Sequence, residues 1–157
     1  MKTVLTRALS NVEATRKFAE QLTEEFLKPE KSFVLFLEGG LGAGKTLLVK
    51  EILKAFGVQD EVTSPTYTYV QEYALATSNQ QPATRFAHFD LYRLENKQDF
   101  FAKGFQEIAE DEAISCFVEW PDRIDTATEE LFTGKYFTIK LEHGMNASGR
   151  KATLMTK

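Results

Sequence analysis

Cysteine is nearly missing from this chain of 157 residues: Cys116 stands alone. A lone thiol excludes a disulfide framework and suits a reducing compartment. The only histidines are His88 and His143, too few for a transition-metal cluster of the His/Cys kind. No stretch approaches the ~20 consecutive apolar residues of a membrane span. The opening residues Met1-Lys2-Thr3-Val4-Leu5-Thr6-Arg7 lack the apolar core of a signal peptide, so the expected location is the cytoplasm. Positive charge is short as well. The 19 Lys and Arg against 23 Asp and Glu leave a net charge of -4, which argues against a chain that clamps nucleic acid through its own field. Internal repeats, low-complexity tracts and linkers are missing too. The chain therefore reads as one domain over 1–157, long enough to bury a core.

What is present is a glycine loop in a demanding context. Gly39-Gly40-Leu41-Gly42-Ala43-Gly44-Lys45-Thr46 fits G-x-x-x-x-G-K-[ST], the phosphate-binding P-loop. Phe33-Val34-Leu35-Phe36-Leu37 precedes it as an apolar run that reads as a strand buried on both faces. Leu47, Leu48, Ile52, Leu53 and Phe56 follow at helical spacing, and Gly57 stands where a helix would stop. In that arrangement loop amides approach an anion and the helix N-terminus adds partial positive charge. Lys45 is expected to reach the β- and γ-phosphates of a nucleotide, and the Thr46 hydroxyl to bind Mg²⁺. The expected nucleotide contacts are Gly39, Gly42, Ala43, Gly44, Lys45, Thr46 and Leu47.

Along the rest of the chain, Thr3 to Leu9 reads as a short strand. Ser10-Asn11-Val12-Glu13 matches a capping box with Ser10 as N-cap. Ala14, Phe18, Leu22 and Phe26 then give an amphipathic helix over 11–27, ended by Pro29. Thr66 to Tyr73 reads as a strand and Ala74 to Thr84 as a polar loop. Phe86 to Phe89 reads as a second strand, making 66–89 a hairpin. Residues 94–113 read as one or two short helices broken near Gly104, and Ile114 to Val118 as another buried strand. Tyr136 to Leu141 and Lys151 to Met155 read as a terminal hairpin around a loop with Gly144 and Ser148-Gly149-Arg150. The expected class is α/β: a P-loop NTPase fold, with a mixed, mostly parallel sheet flanked by helices and antiparallel hairpin additions.

Two carboxylates end apolar strands. Asp90 closes His88-Phe89-Asp90, the Walker B pattern, whose acid holds Mg²⁺ directly or through water. Its other reading is a helix N-cap. Glu119 closes the 114–118 strand ahead of Trp120-Pro121; its other reading is a solvated carboxylate. In open α/β sheets ligands bind at that edge, so Thr46, Asp90 and Glu119 are expected to share one Mg²⁺, which prefers oxygen ligands. Thr66 either senses the γ-phosphate or packs at a strand edge. Arg150 is a candidate contact to phosphate or adenine. His88 reads as a strand histidine, its other reading being a catalyst, and Cys116 as inert core.

Together these segments resemble the TsaE family, formerly YjeE: small bacterial P-loop ATPases needed to make threonylcarbamoyladenosine in tRNA. The residues that carry the resemblance are Gly39 to Thr46, Ser64-Pro65-Thr66-Tyr67-Thr68, His88-Phe89-Asp90-Leu91-Tyr92-Arg93-Leu94 and Glu119-Trp120-Pro121. It spans about residues 8 to 150. The resemblance implies a cytoplasmic protein that binds ATP or ADP with Mg²⁺ and hydrolyses ATP slowly alone. It implies work with TsaB and TsaD, with tRNA met indirectly through that complex. Lys45, Asp90 and Glu119 become the catalytic candidates, and Thr46, Asp90 and Glu119 the Mg²⁺ ligands. Ser64-Pro65-Thr66 becomes a switch-like segment, with base contacts at Ser10 and Asn11. The 74–84 loop is longer than the family leads one to expect, and the segment after Arg150 is short. The rival reading is a small-molecule or nucleotide P-loop kinase, which usually carries several arginines in a lid. The six arginines here (7, 16, 85, 93, 123, 150) are not clustered in sequence.

Overall fold

The computed structural model describes residues 1–75, 84–124, 128–144 and 149–157. Most of the polar loop read at 74–84, and Ser148 of the C-terminal turn, lie outside the described residues. The elements run β1 (Lys2–Leu9), α1 (Val12–Glu25), β2 (Phe33–Glu38), α2 (Lys45–Phe56), β3 (Val70–Ala74), β4 (Arg85–Asp90), α3 (Lys97–Ala102), α4 (Phe105–Ala109), β5 (Ile114–Glu119), two 3-10 turns (Pro121–Ile124, Thr128–Leu131), β6 (Lys135–His143) and β7 (Arg150–Thr156). One seven-stranded sheet has the order β1-β7-β6-β2-β5-β4-β3. Its four central strands, β6, β2, β5 and β4, are parallel. The outer strands pair antiparallel, β3 on β4 at one side and β7 then β1 at the other.

Strand alternation sorts the core into two layers. Phe33, Leu35 and Leu37 of β2 pack with Phe18 and Leu22 of α1 and with Leu48, Ile52 and Leu53 of α2. Val34 and Phe36 point the other way, joining Phe89, Phe100, Phe105, Cys116 and Phe132. With both faces covered, Phe33 to Leu37 of β2 form an unbroken apolar run, as expected for a parallel strand between two packed layers.

Two local expectations are corrected. The N-cap of α1 is Asn11, not Ser10. Asn11 is extended and its Oδ1 accepts the Ala14 N–H at 2.8 Å, so the helix starts one residue later than the capping box places it. Asn is as good an N-cap as Ser, and it is the residue placed to reach the third amide. Asn11→Ala should therefore cost about 1 kcal/mol of stability in urea unfolding. Ser10→Ala should stay within about 0.5 kcal/mol of wild type; the reverse ranking would reinstate Ser10 as the cap.

Thr66 to Tyr69 is a turn, not the start of a strand. The Tyr69 N–H donates to the Pro65 carbonyl at 2.7 Å, and Tyr69 takes φ 64. β-Propensity yields here to tertiary contact: the Thr66 hydroxyl is held by Asp90 and Ser64, which folds the segment over the end of β4. Antiparallel pairing then begins at Val70 opposite Phe89.

Cys116 sits in β5, buried at 1% exposure, and burial pushes its thiol up to about 12. At pH 8 only roughly one thiol in 10⁴ is then thiolate, the reactive form. Native protein should leave a thiol-reactive disulfide dye unconsumed, and denaturant should release one equivalent. Fast reaction in the native state would mean that β5 opens locally. Among the described residues no helix is long and apolar enough to cross a membrane.

Candidate functional site

The parallel strands end together at their carboxyl edge. Leu37 of β2 lies opposite Glu119 of β5, and Glu119 opposite Asp90 of β4. The glycine loop leaves β2 at that edge. Gly39 has φ 153, and a Cβ there would sit 2.7 Å from the Leu141 carbonyl oxygen of β6, so only glycine lets the loop cross the sheet so closely. Gly44 opens α2 at φ 97 with no side chain capping the helix. The first amides of α2 therefore remain available, and the helix dipole makes their end attractive to anions.

Lys45 folds back over this loop. Its Nζ donates to the Gly39 and Gly40 carbonyls at 2.7 and 2.9 Å and stands 3.7 Å from the Trp120 ring centroid. Trp120 has φ 59, a left-handed conformation rare for an aromatic residue, which turns its ring across the cleft. Burial lowers the Lys45 pKa; Glu119, Asp90 and Asp122 pull in the opposite direction.

The Thr46 hydroxyl donates to Glu119 Oε1 at 2.7 Å. His88 Nε2 lies 2.7 Å from the same oxygen. Asp90 makes a separate set: Oδ2 accepts the Thr66 hydroxyl at 3.1 Å, Oδ1 accepts the Tyr92 N–H at 3.0 Å, and Ser64 Oγ is 2.6 Å from Thr66 Oγ1. Asp90 therefore caps the turn at Tyr92 rather than a helix, since α3 begins at Lys97. The cleft between these sets holds about 350 Å³ and is lined from Leu41 to Leu47 and by Ser64, Thr66, Asp90, Glu119, Trp120 and Arg150.

Gly42, Ala43, Gly44, Lys45, Thr46, Leu47, Thr66, Asp90 and Glu119 thus line one cavity, with Gly39 behind it anchoring Lys45. Ser10 and Asn11 do not line it: Ser10 is exposed and the Asn11 carboxamide caps α1. Their neighbour Leu9 pairs with Arg150, however, so the β1–α1 turn starts beside the cleft's arginine. The structure also brings Trp120 and Arg150 to the cleft wall and sets His88 against Glu119. Strand periodicity held the signal for His88, because residues 88 and 90 share one face of β4. Nothing in the sequence placed Arg150 against Gly44, where its guanidinium stands 2.9 Å from the position a Cβ would take.

The donor set suits Mg²⁺ and a nucleotide. Thr46, Glu119 and Asp90 offer hard oxygens, and the uncapped helix end with Lys45 offers a cradle for phosphate. Among the described residues no group of three or more His, Cys, Asp or Glu is arranged to hold a metal.

Residues 9–152 match the family model described as threonylcarbamoyl adenosine biosynthesis protein TsaE. The chain belongs to the TsaE family. A tRNA threonylcarbamoyladenosine biosynthesis protein TsaE from Haemophilus influenzae is 39% identical over 108 residues, which cover 69% of this chain and 63% of that protein. The TsaE protein of Treponema pallidum is 36% identical over 122 residues, 78% of this chain and 80% of that one. The alignment with the Haemophilus TsaE protein thus takes in less than two thirds of its length. The crystal structure of YdiB from Bacillus subtilis superimposes with a TM-score of 0.65 at 26% identity, covering 99% of this chain and 88% of that one.

Proposed function

We propose that this chain is a P-loop ATPase that serves tRNA threonylcarbamoylation together with TsaB and TsaD. The observation that carries the reading is the Thr46–Glu119 hydrogen bond of 2.7 Å at the open N-terminus of α2. It joins the P-loop hydroxyl to an acid at the carboxyl edge of the neighbouring strand, as a site for a metal-bound nucleotide requires. Bound Mg²⁺ would supply divalent charge against the phosphates. The chain's own residues do the rest. The amides of residues 42–47 and the Lys45 ammonium bind and neutralise the β- and γ-phosphates, which Lys45 reaches by leaving the Gly39 and Gly40 carbonyls. Thr46 and Glu119 hold the metal side, with Asp90 beside them. Asp90 and Glu119 accept hydrogen bonds from the water that attacks the γ-phosphorus. Thr66, on its turn beside Asp90, reports the γ-phosphate. Arg150 contacts phosphate or adenine, and Ser10 and Asn11 lie on the side of the base.

Phosphoryl transfer depends on positioning and charge more than on covalent chemistry. The other arginines are largely committed elsewhere. Arg7 bonds Gln21, Arg16 bonds Glu13, Arg85 bridges Glu72 and Asp111, and Arg93 and Arg123 rest over Tyr67 and Tyr92. Such a distribution supports a slow ATPase that draws transition-state charge from a partner, and it does not favour a kinase lid. The test is co-purification with TsaB and TsaD, with and without ATP, followed by phosphate release. Calorimetry that detects no uptake of ATP or ADP, alone or with the partners, would overturn the reading.

A further inference from the structure

The buried polar group with the fewest reasons to be there is His88. It is 0% exposed in β4, between Ala87 and Phe89, and its Nδ1 has no hydrogen-bond partner among the described residues. An imidazole enclosed this way is costly unless its hydrogen bonding compensates, and an apolar side chain would fill the same position without that cost. What His88 has is one contact, Nε2 to Glu119 Oε1 at 2.7 Å, on the oxygen that also accepts the Thr46 hydroxyl. A carboxylate can only accept, so the proton of that bond belongs on Nε2. The unpartnered Nδ1 agrees, because a second proton there would be buried without an acceptor.

We propose that His88 is a positioning residue for Glu119. Its Nε2–H holds Oε1 from the β4 side while Thr46 holds it from α2, which locks the carboxylate in one orientation and leaves its remaining lone pairs for the cation. Partners that orient a metal ligand in this way commonly matter nearly as much as the ligand. The inference rests on the Mg²⁺–nucleotide reading of the cleft, and its test separates the two.

Because His88 and His143 are the only histidines, side-chain ¹⁵N spectra of nucleotide-free protein resolve each ring. His88 should show the Nε2–H tautomer, with that proton protected from exchange. In parallel, calorimetry with β,γ-imido-ATP in excess MgCl₂ and in EDTA gives the Mg²⁺-dependent gain in affinity. His88→Leu should reduce this gain by about 10-fold or more, with the affinity in EDTA unchanged. His88→Gln, whose side-chain amide can donate to Glu119, should recover most of it. An Nδ1–H tautomer overturns the proposal. So does a wild-type Mg²⁺ gain in His88→Leu, or a folded His88→Gln no better than Leu. Should His88→Leu fail to fold, the tautomer and the Gln variant decide. Wild-type protein that takes up no analogue sinks the nucleotide reading, while the tautomer still decides the His88–Glu119 bond.

Discussion

Replacing Lys45 with alanine is expected to lower ATP turnover by a factor of about 10²–10³ or more, in the presence of TsaB and TsaD as well as without them. Lys45 is the only charged side chain of the glycine loop, and in the proposed reaction it carries the positive charge that meets the phosphates. Its distance from the loop is already short: Nζ sits on the Gly39 and Gly40 carbonyls, within the cavity that Thr46 and Glu119 close. A loss of that size corresponds to about 3–4 kcal/mol of transition-state stabilisation, more than rearrangement of neighbouring groups can restore. Leu41, Gly42 and Gly44 stay in place, so weak nucleotide binding should survive. Phosphate release assayed with the assembled partners provides the check. Turnover at the wild-type rate would remove Lys45 from the catalytic set.

Glu119→Ala should be as severe, for a different reason. Glu119 is 3% exposed and accepts from both Thr46 and His88. Truncation removes the acid and leaves the buried His88 ring N–H without an acceptor, at a cost of about 1–3 kcal/mol, while the half-buried Thr46 hydroxyl can turn to water. Turnover should vanish, and the thermal midpoint should fall further than in Lys45→Ala. Glu119→Gln keeps the volume and an acceptor oxygen, so it should restore the midpoint without restoring turnover. That stable variant also tests whether ATP binding, without hydrolysis, is enough to dock the partners. If ATP-loaded Glu119→Gln still binds TsaB–TsaD, ATP binding promotes docking and hydrolysis resets the complex. Wild-type turnover in either Glu119 variant would leave Asp90 as the acid that matters.

Much of this site could be read from residue order. The P-loop needs glycines at fixed places between a strand and a helix, so Gly39 to Thr46 together with the flanking apolar patterns announced the cradle. The strand ends at Asp90 and Glu119 were likewise visible, because an acid after an apolar run interrupts the pattern. The segment 66–69 misled, since Thr, Tyr and Thr favour a strand by propensity while the contact of Thr66 with Asp90, 24 residues away, bends it into a turn. Ser10 and Asn11 are both good caps, and local sequence does not say which lies one turn ahead of a free amide.

Alone, then, the amino-acid order determined the periodicities, the glycine loop and the acids at strand ends, because these depend on neighbours a few residues apart. The tertiary structure decided how those parts are shared. It gave Thr46 to Glu119 and Thr66 to Asp90, enclosed His88 behind Glu119, and brought Arg150 from the last strand against Gly44. Those pairings depend on sheet order and register, which arise from contacts between segments tens of residues apart and leave no local trace in any of them.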